Sequence, residues 1–277
     1  MLRAGDIRDL AAEHGLRPRK TFGQHFVVDA NVLHKIVRLA ELEPSDVVVE
    51  IGPGFGSLTL ALLPHVAELI AVEVDRRLAA LLPETVAACC PAYAARLTVV
   101  EADALDVVSL PTEPTALVAN LPYNVAVPVL LRFLDRFPSI RRALVMVQRE
   151  VAERLCATPG TEPYGAPSVK LRWYGTAKIV ANVSREVFWP KPHVDSAVLR
   201  FDRGCVRTAD AGPVFAVVDA AFRHRRKTLR SALAAWAGSR EAAERVLRAA
   251  AVDPGARGEQ LGLDEFVRIA ELGPTLR

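Results

Sequence analysis

The 277-residue sequence predicts an α/β fold with a Rossmann-like sheet, followed by a small all-helical domain. Three observations support this fold class. Short apolar runs typical of buried strands alternate with helical patterns as far as Phe201. A glycine-rich loop joins the first of these strands to a helix. Beyond the segment 204–212, which is typical of a linker, only short helical patterns follow.

The elements can be predicted in order along the chain. Residues 1–28 are expected to form an N-terminal arm, and Asp29 is a suitable N-cap for a helix over 30–41, where apolar residues share one face. Parallel strands are predicted at 47–51, 69–72, 97–100, 116–119 and 143–148. Apolar runs at 179–187 and 197–201 predict a final antiparallel pair, which gives a seven-stranded sheet. Four further helices are predicted near 213–223, 228–237, 241–250 and 263–272.

These elements predict a larger α/β domain over 29–203 and a helical domain over 204–277. The four cysteines lack metal-ligand spacing, and the six histidines show no paired ligand motif, so no metal site is expected. Charged residues interrupt the first sixteen positions, and no apolar stretch is long enough to span a bilayer. The expectation is a monomeric, soluble, cytoplasmic protein with reduced thiols.

Polar residues follow several predicted strands at the point where each ends. The loop from Glu50 to Gly56 has the sequence Glu-Ile-Gly-Pro-Gly-Phe-Gly, and its glycines Gly52 and Gly54 allow close approach to a ligand. Glu73 ends the second strand, where a carboxylate can accept hydrogen bonds from ribose hydroxyls, and Asp103 follows the third. The loop lacks the third-glycine spacing of a dinucleotide site, which argues against a NAD enzyme. The pattern therefore indicates a nucleoside site.

The run Asn120-Leu121-Pro122-Tyr123 follows the fourth strand and carries most of the functional information. The Asn120 oxygen and the Leu121 carbonyl can accept hydrogen bonds from an exocyclic amino group. Pro122 stiffens the turn, and Tyr123 offers a face for stacking. The run could also be an ordinary strand-to-helix turn punctuated by Asn and Pro. The neighbouring nucleoside pattern favours a site for a methyl acceptor such as adenine.

Positive charge is concentrated in the C-terminal segment. From Arg203 to Arg277 the chain has thirteen Lys or Arg and nine Asp or Glu, whereas residues 1–202 have 22 and 23. One cluster, 222–230, contains no acid, and its basic residues are Arg223, Arg225, Arg226, Lys227 and Arg230. Such a cluster can neutralise phosphates, although a solvated helix end is the common alternative. Beside a nucleoside site, RNA binding is the favoured interpretation.

These motifs, taken together, resemble the KsgA-type family of ribosomal RNA adenine N6,N6-dimethyltransferases. The resemblance runs over nearly the whole chain and includes the two site motifs above and three further runs, which are Phe22-Gly23-Gln24-His25-Phe26, Gln148-Arg149-Glu150-Val151-Ala152 and Phe188-Trp189-Pro190-Lys191-Pro192-His193-Val194-Asp195-Ser196. The chain departs from the family pattern at 164–169, so no RNA contact is carried over to that segment. The resemblance implies the class I methyltransferase sheet with S-adenosylmethionine (SAM) as cofactor.

The resemblance also implies roles for individual residues. The cofactor is expected to be held by His25, Val27, Gly52, Glu73, Asp103 and Asn120, with Gln24 and Glu50 near its methionine end. Tyr123 would stack on one face of the target adenine and Phe188 would pack on the other. The implied reaction is dimethylation of two adjacent adenosines in a hairpin loop of 16S rRNA, with the pre-30S particle as partner in ribosome biogenesis.

Two alternatives stay open on the sequence. One is the related Erm-type methyltransferase, which modifies a large-subunit rRNA adenine and confers macrolide resistance. Those relatives usually carry Ile at the position of Leu121 and lack the basic run 225–230, so this chain is more similar to the small-subunit group. The other is a chiefly non-catalytic ribosome assembly factor, which the basic cluster supports and the intact Asn120-Leu121-Pro122-Tyr123 run opposes.

Overall fold

The computed structural model describes residues 2–18, 23–204, 210–224 and 226–276. Phe22, Cys205, Arg225 and the middle of the predicted linker lie outside the described residues. The chain divides into two compact units. The first comprises Met1–Ala152 and Lys178–Arg203, and the second comprises Glu153–Ala177 and Gly204–Arg277. The sequence predicted that 153–177 belong to the larger domain, but in the structure they group with the C-terminal helices. It also predicted a separate arm over 1–28, but these residues group with the sheet.

A seven-stranded sheet forms the centre of the first unit, in the order β4-β3-β2-β5-β6-β9-β7. Neighbours from β4 through β6 are parallel, and β9 is antiparallel to β6. This agrees with the predicted fold class. The strands are β2 (Val47–Ile51), β3 (Glu68–Glu73), β4 (Leu97–Glu101), β5 (Ala116–Asn120), β6 (Arg142–Gln148), β7 (Gly175–Val183) and β9 (Ser196–Arg203).

The central strands are buried on both faces, as near-continuous apolar runs require. In β5, Leu117 and Val118 are at most 1% exposed. The helices of this unit begin with α1 (Ala4–Glu13), α2 (Ala30–Ala40), α3 (Ser57–Leu62), α4 (Arg76–Cys89) and α5 (Ala126–Arg136). Asp29 caps α2 as predicted, since its Oδ1 accepts from the backbone N–H of Asn31 at 2.8 Å and of Val32 at 3.2 Å.

Helix α1 is an element that the sequence analysis missed. Its apolar residues Ile7 and Ala11 are buried and belong to the hydrophobic core of the first unit, together with Leu2 and Leu16. The spacing of Ile7, Leu10 and Ala11 places all three on one helical face. The N-terminal segment therefore contributes to the core and is more than an arm.

A two-stranded ribbon brings the N-terminal segment to a late part of the chain. Strand β1 (Phe26–Val27) pairs antiparallel with β8 (Phe188–Trp189), with Phe26 opposite Trp189 and Val27 opposite Phe188. The ribbon begins directly after His25 on one strand and ends directly before Pro190 on the other, so it brings these two residues close together.

The second unit is helical and has its own core. Its elements are the end of α6 (Arg149–Cys156), then α7 (Ala166–Tyr174), α8 (Ala211–Phe222), α9 (Leu229–Ala232), α10 (Ala234–Ala237), α11 (Arg240–Ala249) and α12 (Leu263–Leu276). Phe266 is fully buried and packs near Phe222, with ring centroids 6.0 Å apart. Tyr164 contacts Phe222 edge-on, with ring centroids 5.9 Å apart, and donates to the Leu261 carbonyl at 2.8 Å. Within the described ranges, no helix has the length and apolar character needed to cross a membrane.

Candidate active site

A cavity with an empty volume of about 930 Å³ opens at the carboxyl ends of β2, β3, β4 and β5. This is the edge where open α/β sheets bind ligands. All residues predicted to hold the cofactor line it, as do most of those predicted to hold the methyl acceptor. The predicted residues in its lining are Gln24, His25, Val27, Glu50, Gly52, Gly54, Glu73, Asp103, Asn120, Leu121, Pro122 and Tyr123.

The glycine loop forms one wall of the cavity with backbone angles that favour glycine. Gly54 has a φ of +59°, and a Cβ placed there would lie 2.5 Å from a ring carbon of Phe26. The backbone N–H of Gly54 donates to Glu73 Oε2 at 3.1 Å, which ties the loop after β2 to the end of β3. The absence of a side chain at Gly54 lets the loop pack closely against Phe26 beside the cavity.

Two buried carboxyl groups lie in the cavity wall. Glu50 is 1% exposed and accepts a hydrogen bond from the Thr59 hydroxyl at 2.7 Å. Burial raises the pKa of Glu50 to about 8, the Thr59 hydrogen bond opposes that shift, and Glu73 adds to it. Glu50 is therefore largely protonated at neutral pH when nothing else is bound, and a cationic ligand would favour release of that proton.

Glu73 has a different environment because its carboxylate is held by backbone donors. Its Oε2 accepts from Gly54 N–H, and its Oε1 accepts from Asp75 N–H at 2.9 Å. Burial raises the pKa of Glu73, and these backbone hydrogen bonds oppose the shift. These two hydrogen bonds fix the orientation of the carboxylate at the end of β3.

The next strand end completes a surface suited to a nucleoside. Asp103 is exposed and lines the cavity, and its Oδ1 accepts from the backbone N–H of Leu105 at 2.8 Å. Val74 follows Glu73 and is 45% exposed, unusual for a large apolar side chain directly after a buried strand. An apolar face between two carboxylates fits a heterocycle joined to a ribose.

Asn120 presents an acceptor without a partner. Its Nδ2 donates to the His25 carbonyl at 2.8 Å, and this hydrogen bond sets the orientation of the amide. Its Oδ1 is buried and has no hydrogen-bond partner among the described residues. Buried polar atoms in folded proteins are nearly always hydrogen-bonded, so an orphaned acceptor in a cavity wall points to a ligand that donates.

Tyr123 is held in place at both ends of its side chain. Its ring stacks on the His25 imidazole, with centroids 5.3 Å apart and planes 30° apart. Its hydroxyl shares a 2.6 Å hydrogen bond with the Ser196 hydroxyl. His25 is fixed in turn, because its Nδ1 lies 2.7 Å from the Pro190 carbonyl. One face of Tyr123 is therefore covered by His25, and the residue also lines the cavity.

Phe188, predicted to pack on the second face of the target adenine, is a buried residue in the structure. It is 4% exposed, lies in the hydrophobic core and pairs through β8 with Val27 of β1. It does not line the cavity. The ring is buried next to β1, whose Val27 lines the cavity. An aromatic residue next to a motif can be either core or contact, and the sequence does not distinguish the two.

The structure also reveals site residues that the sequence analysis did not single out. Phe26 fills the space left by Gly54, and its ring contacts Phe55 edge-on with centroids 4.8 Å apart. Ser57, directly after the glycine loop, is 6% exposed, lines the cavity and has a hydroxyl without a partner among the described residues. A hydroxyl in the residue that follows the loop was the signal available for Ser57. No cluster of metal-binding side chains occurs in the part of the chain that the structure describes.

The basic cluster lies in the second unit and is not uniform. Arg223, Arg226 and Lys227 are exposed. Arg230 is also exposed, but its guanidinium lies 3.1 Å from Glu244 and 3.9 Å from Glu241. Arg225 lies outside the described residues. The sequence treated these cations as equivalent, whereas Arg230 is paired with acids from α11 and has less charge to offer a partner.

The chain matches known proteins over nearly its whole length. The model of the family described as ribosomal RNA adenine dimethylase matches residues 15–272. Ribosomal RNA small subunit methyltransferase A of Acidothermus cellulolyticus is 61% identical over 276 residues, covering 99% of this chain and 95% of the relative. The protein of the same name from Thermobifida fusca is 58% identical over 277 residues, covering 99% and 96%.

Solved structures show the same fold. A dimethyladenosine transferase from Plasmodium falciparum superposes with a TM-score of 0.77 at 23% identity, covering 90% of this chain and 98% of that one. The 23S rRNA methyltransferase ErmE gives a TM-score of 0.63 at 27% identity, covering 89% and 98%. The family match spans nearly the whole chain and includes every motif on which the resemblance depends. The chain therefore belongs to the ribosomal RNA adenine dimethylase family.

Proposed function

We propose that this protein transfers methyl groups from SAM to the N6 atoms of two adjacent adenosines in a hairpin loop of small-subunit (16S) rRNA. The observation that carries the proposal is the buried, unpartnered Oδ1 of Asn120 in the cavity wall. An adenine amino group supplies the donor that this oxygen lacks. Identities of 61% and 58% to small-subunit methyltransferases, against 27% to ErmE, favour the small subunit over the large.

The cavity fits SAM in its donor and acceptor groups. Glu73, fixed by two backbone donors, is assigned to the ribose hydroxyls, Asp103 to the adenine amino group and Val74 to the face of the heterocycle. Glu50 and Gln24 are assigned to the methionine end, where a buried carboxyl group can accept from an ammonium. When bound, SAM supplies a methyl group already activated for transfer by its sulfonium.

The acceptor side needs positioning more than acid-base chemistry. The N6 lone pair of adenine is delocalised into the ring, so the amine must be held in a geometry that directs this lone pair at the methyl group. Asn120 Oδ1 and the Leu121 carbonyl accept the two amino hydrogens and impose that geometry. Tyr123 stacks on the base with the face that His25 does not cover. Once the nitrogen is cationic its proton is acidic enough to pass to water, and no general base is assigned.

The second unit supplies positive charge for the RNA. Arg223, Arg226 and Lys227 are exposed and are assigned to phosphate contacts, with Arg225 of the same run included on sequence grounds. A hairpin loop is a suitable substrate because its unpaired bases can enter a pocket at modest cost. The pre-30S particle is the proposed partner, and the protein is proposed to act as a monomer in the cytoplasm.

The deciding experiment supplies purified protein with labelled SAM and, in separate reactions, unmethylated small or large ribosomal subunits. The RNA is then digested and the methylated nucleosides are identified by mass spectrometry. Dimethyladenosine from the small subunit is the expected result. Product from the large subunit alone would move the assignment to Erm-type chemistry, and subunit binding without methyl transfer would favour an assembly factor.

A further inference from the structure

Ser196 is joined to the site residue Tyr123 by a hydrogen bond between their hydroxyls. It is the first residue of β9, it is completely buried, and it pairs in register with Gln148 of β6. Its hydroxyl lies 2.6 Å from the Tyr123 hydroxyl, yet Ser196 does not line the cavity. The sheet therefore holds the far end of a tyrosine whose ring faces the substrate.

Asn120 and Tyr123 are held through the same residue. His25 accepts the Asn120 amide through its backbone carbonyl at 2.8 Å and stacks its ring on Tyr123. The Pro190 carbonyl fixes the imidazole at 2.7 Å. With Ser196 bound to the Tyr123 hydroxyl, both groups that face the base are tied to the segment 188–196, which β8 and β9 anchor.

A tyrosine side chain can rotate about two torsion angles, χ1 and χ2. Stacking on one face of the ring limits its tilt but still allows the ring to move parallel to its own plane. A hydrogen bond at the para position removes that freedom, because the hydroxyl is the point farthest from the backbone. Methyl transfer is sensitive to misplacement of the acceptor by fractions of an ångström. The second transfer is the more demanding, since the amine must then be accommodated with one methyl already attached.

We infer that Ser196 is a positioning residue for methyl transfer, whose hydroxyl fixes the plane of Tyr123 against which the target adenine stacks. The inference rests on the proposed function, because it takes Tyr123 as the stacking surface. A packing role alone would predict that loss of the Ser196 hydroxyl lowers stability and leaves the chemistry unchanged. A positioning role predicts a change in the ratio of monomethylated to dimethylated product.

The test compares Ser196→Ala, Tyr123→Phe and the double variant, in the full-length protein under single-turnover conditions with SAM and unmethylated small subunits. Both single changes remove the same hydrogen bond, and Tyr123→Phe keeps the ring. We expect each to slow transfer about 10-fold and to raise the monomethyl fraction, as a modest loss of alignment would. The double variant should be no slower than Tyr123→Phe, because the bond can be removed only once. Ser139→Ala, which removes a hydroxyl bonded to Glu113, is the matched control and should behave as wild type.

Several outcomes would overturn the inference. A folded Ser196→Ala variant with wild-type rate and product ratio would do so, as would additive effects in the double variant. If Ser196→Ala does not fold, Tyr123→Phe reports on the same bond, and unchanged product ratios there would be equally decisive. If the wild type methylates the large subunit instead, the proposed substrate is wrong, and the same variants are then compared on large-subunit RNA by the same criteria. No transfer to either subunit would defeat both proposals.

Discussion

The cavity of the first unit and the basic cluster of the second differ in how their residues are fixed. Each residue of the cavity wall has a defined place at a strand end, and many are held by specific hydrogen bonds, such as Glu73 by two backbone donors. The described residues of the basic cluster have exposed side chains, and Arg230 forms ion pairs with Glu241 and Glu244. Methyl transfer requires exact positioning of the reacting groups, and the residues of the cavity wall are fixed accordingly. Binding of phosphates requires mainly positive charge, which long and flexible side chains can supply.

The largest effect that would test this comparison is expected at Asn120. Asn120→Ala removes both the acceptor and the hydrogen bond to the His25 carbonyl, and should slow methyl transfer about 100-fold to 1,000-fold, as loss of one preorganised polar group does elsewhere. SAM affinity, measured by calorimetry, should change far less than the rate of a single turnover. Asn182→Ala, at an exposed position of β7, is the control. Wild-type turnover by Asn120→Ala would refute the role given to this residue.

The next effect concerns the fit of the glycine loop against Phe26. Gly54→Ala places a Cβ 2.5 Å from the Phe26 ring at a φ of +59°, whereas Gly15→Ala has the same φ and nothing within 4 Å. Both variants should lose about 1–2 kcal/mol from left-handed strain. Only Gly54→Ala should also lose SAM affinity, because its Phe26 ring must move. Equal behaviour in denaturant unfolding and SAM titration would show that the close packing at Gly54 is unimportant.

A smaller effect is expected in the pH dependence of stability. The pKa of Glu50 is about 8 in the folded protein and about 4.3, its ordinary value, in the unfolded protein. At a pH between these two values, the folded protein keeps a proton on Glu50 that the unfolded protein has lost. Stability contributed by protonated Glu50 is therefore lost as pH rises toward and through 8. In the ligand-free protein, Tm should fall between pH 6 and 8.5 more steeply for wild type than for Glu50→Gln.

Glu84→Gln, at an exposed position of α4, is the control for that pH series. Its Tm profile should run parallel to the wild type. If Glu50→Gln also runs parallel to the wild type, Glu50 does not bind a proton on folding in this pH range. A titration of SAM at pH 7 in two buffers of different ionisation enthalpy would then be expected to show no proton release.

The smallest single-site effects are expected in the basic cluster. Arg226→Ala and Lys227→Ala should each reduce the slope of log affinity against log salt for small-subunit RNA by about 0.7–0.9, the contribution of one phosphate contact. Arg230→Ala should reduce it less, because its charge is already paired with Glu244. Lys35→Ala, on an exposed face of α2, controls for loss of charge alone. An equal change at Arg230 would mean that RNA displaces the ion pair.

Most of the sheet and most of the cavity could be predicted from the sequence, because both depend on local patterns. A buried parallel strand is an apolar run, and the topology of the fold brings the residues after such runs to one edge. The places of Glu73, Asp103 and Asn120 in the cavity lining were predicted in this way, whereas Glu50 was predicted from the family resemblance. Helix α1 was missed because charged residues separate Ile7 from Ala11 and obscured their shared face.

What could not be predicted depends on contacts between distant parts of the chain. The acids that pair with Arg230 come from a different helix, so a cluster without acids in sequence is not free of them in space. The burial of Phe188 follows from the pairing of β8 with β1, which join segments far apart in sequence. The same is true of Ser196, whose only signal was its place at the end of a family motif, and of 153–177, whose helical residues could belong to either unit.

The hydrogen bond from Asn120 to the His25 carbonyl also constrains which bases the site can accept. Since the amide nitrogen is already engaged, Asn120 cannot turn over to offer a donor, and the site presents oxygen alone. A base with a keto oxygen at the corresponding position, such as hypoxanthine, would place one lone pair against another and leave both unsatisfied. Deamination of either target adenosine to inosine would therefore remove it from the substrates of this protein, even with the surrounding RNA unchanged.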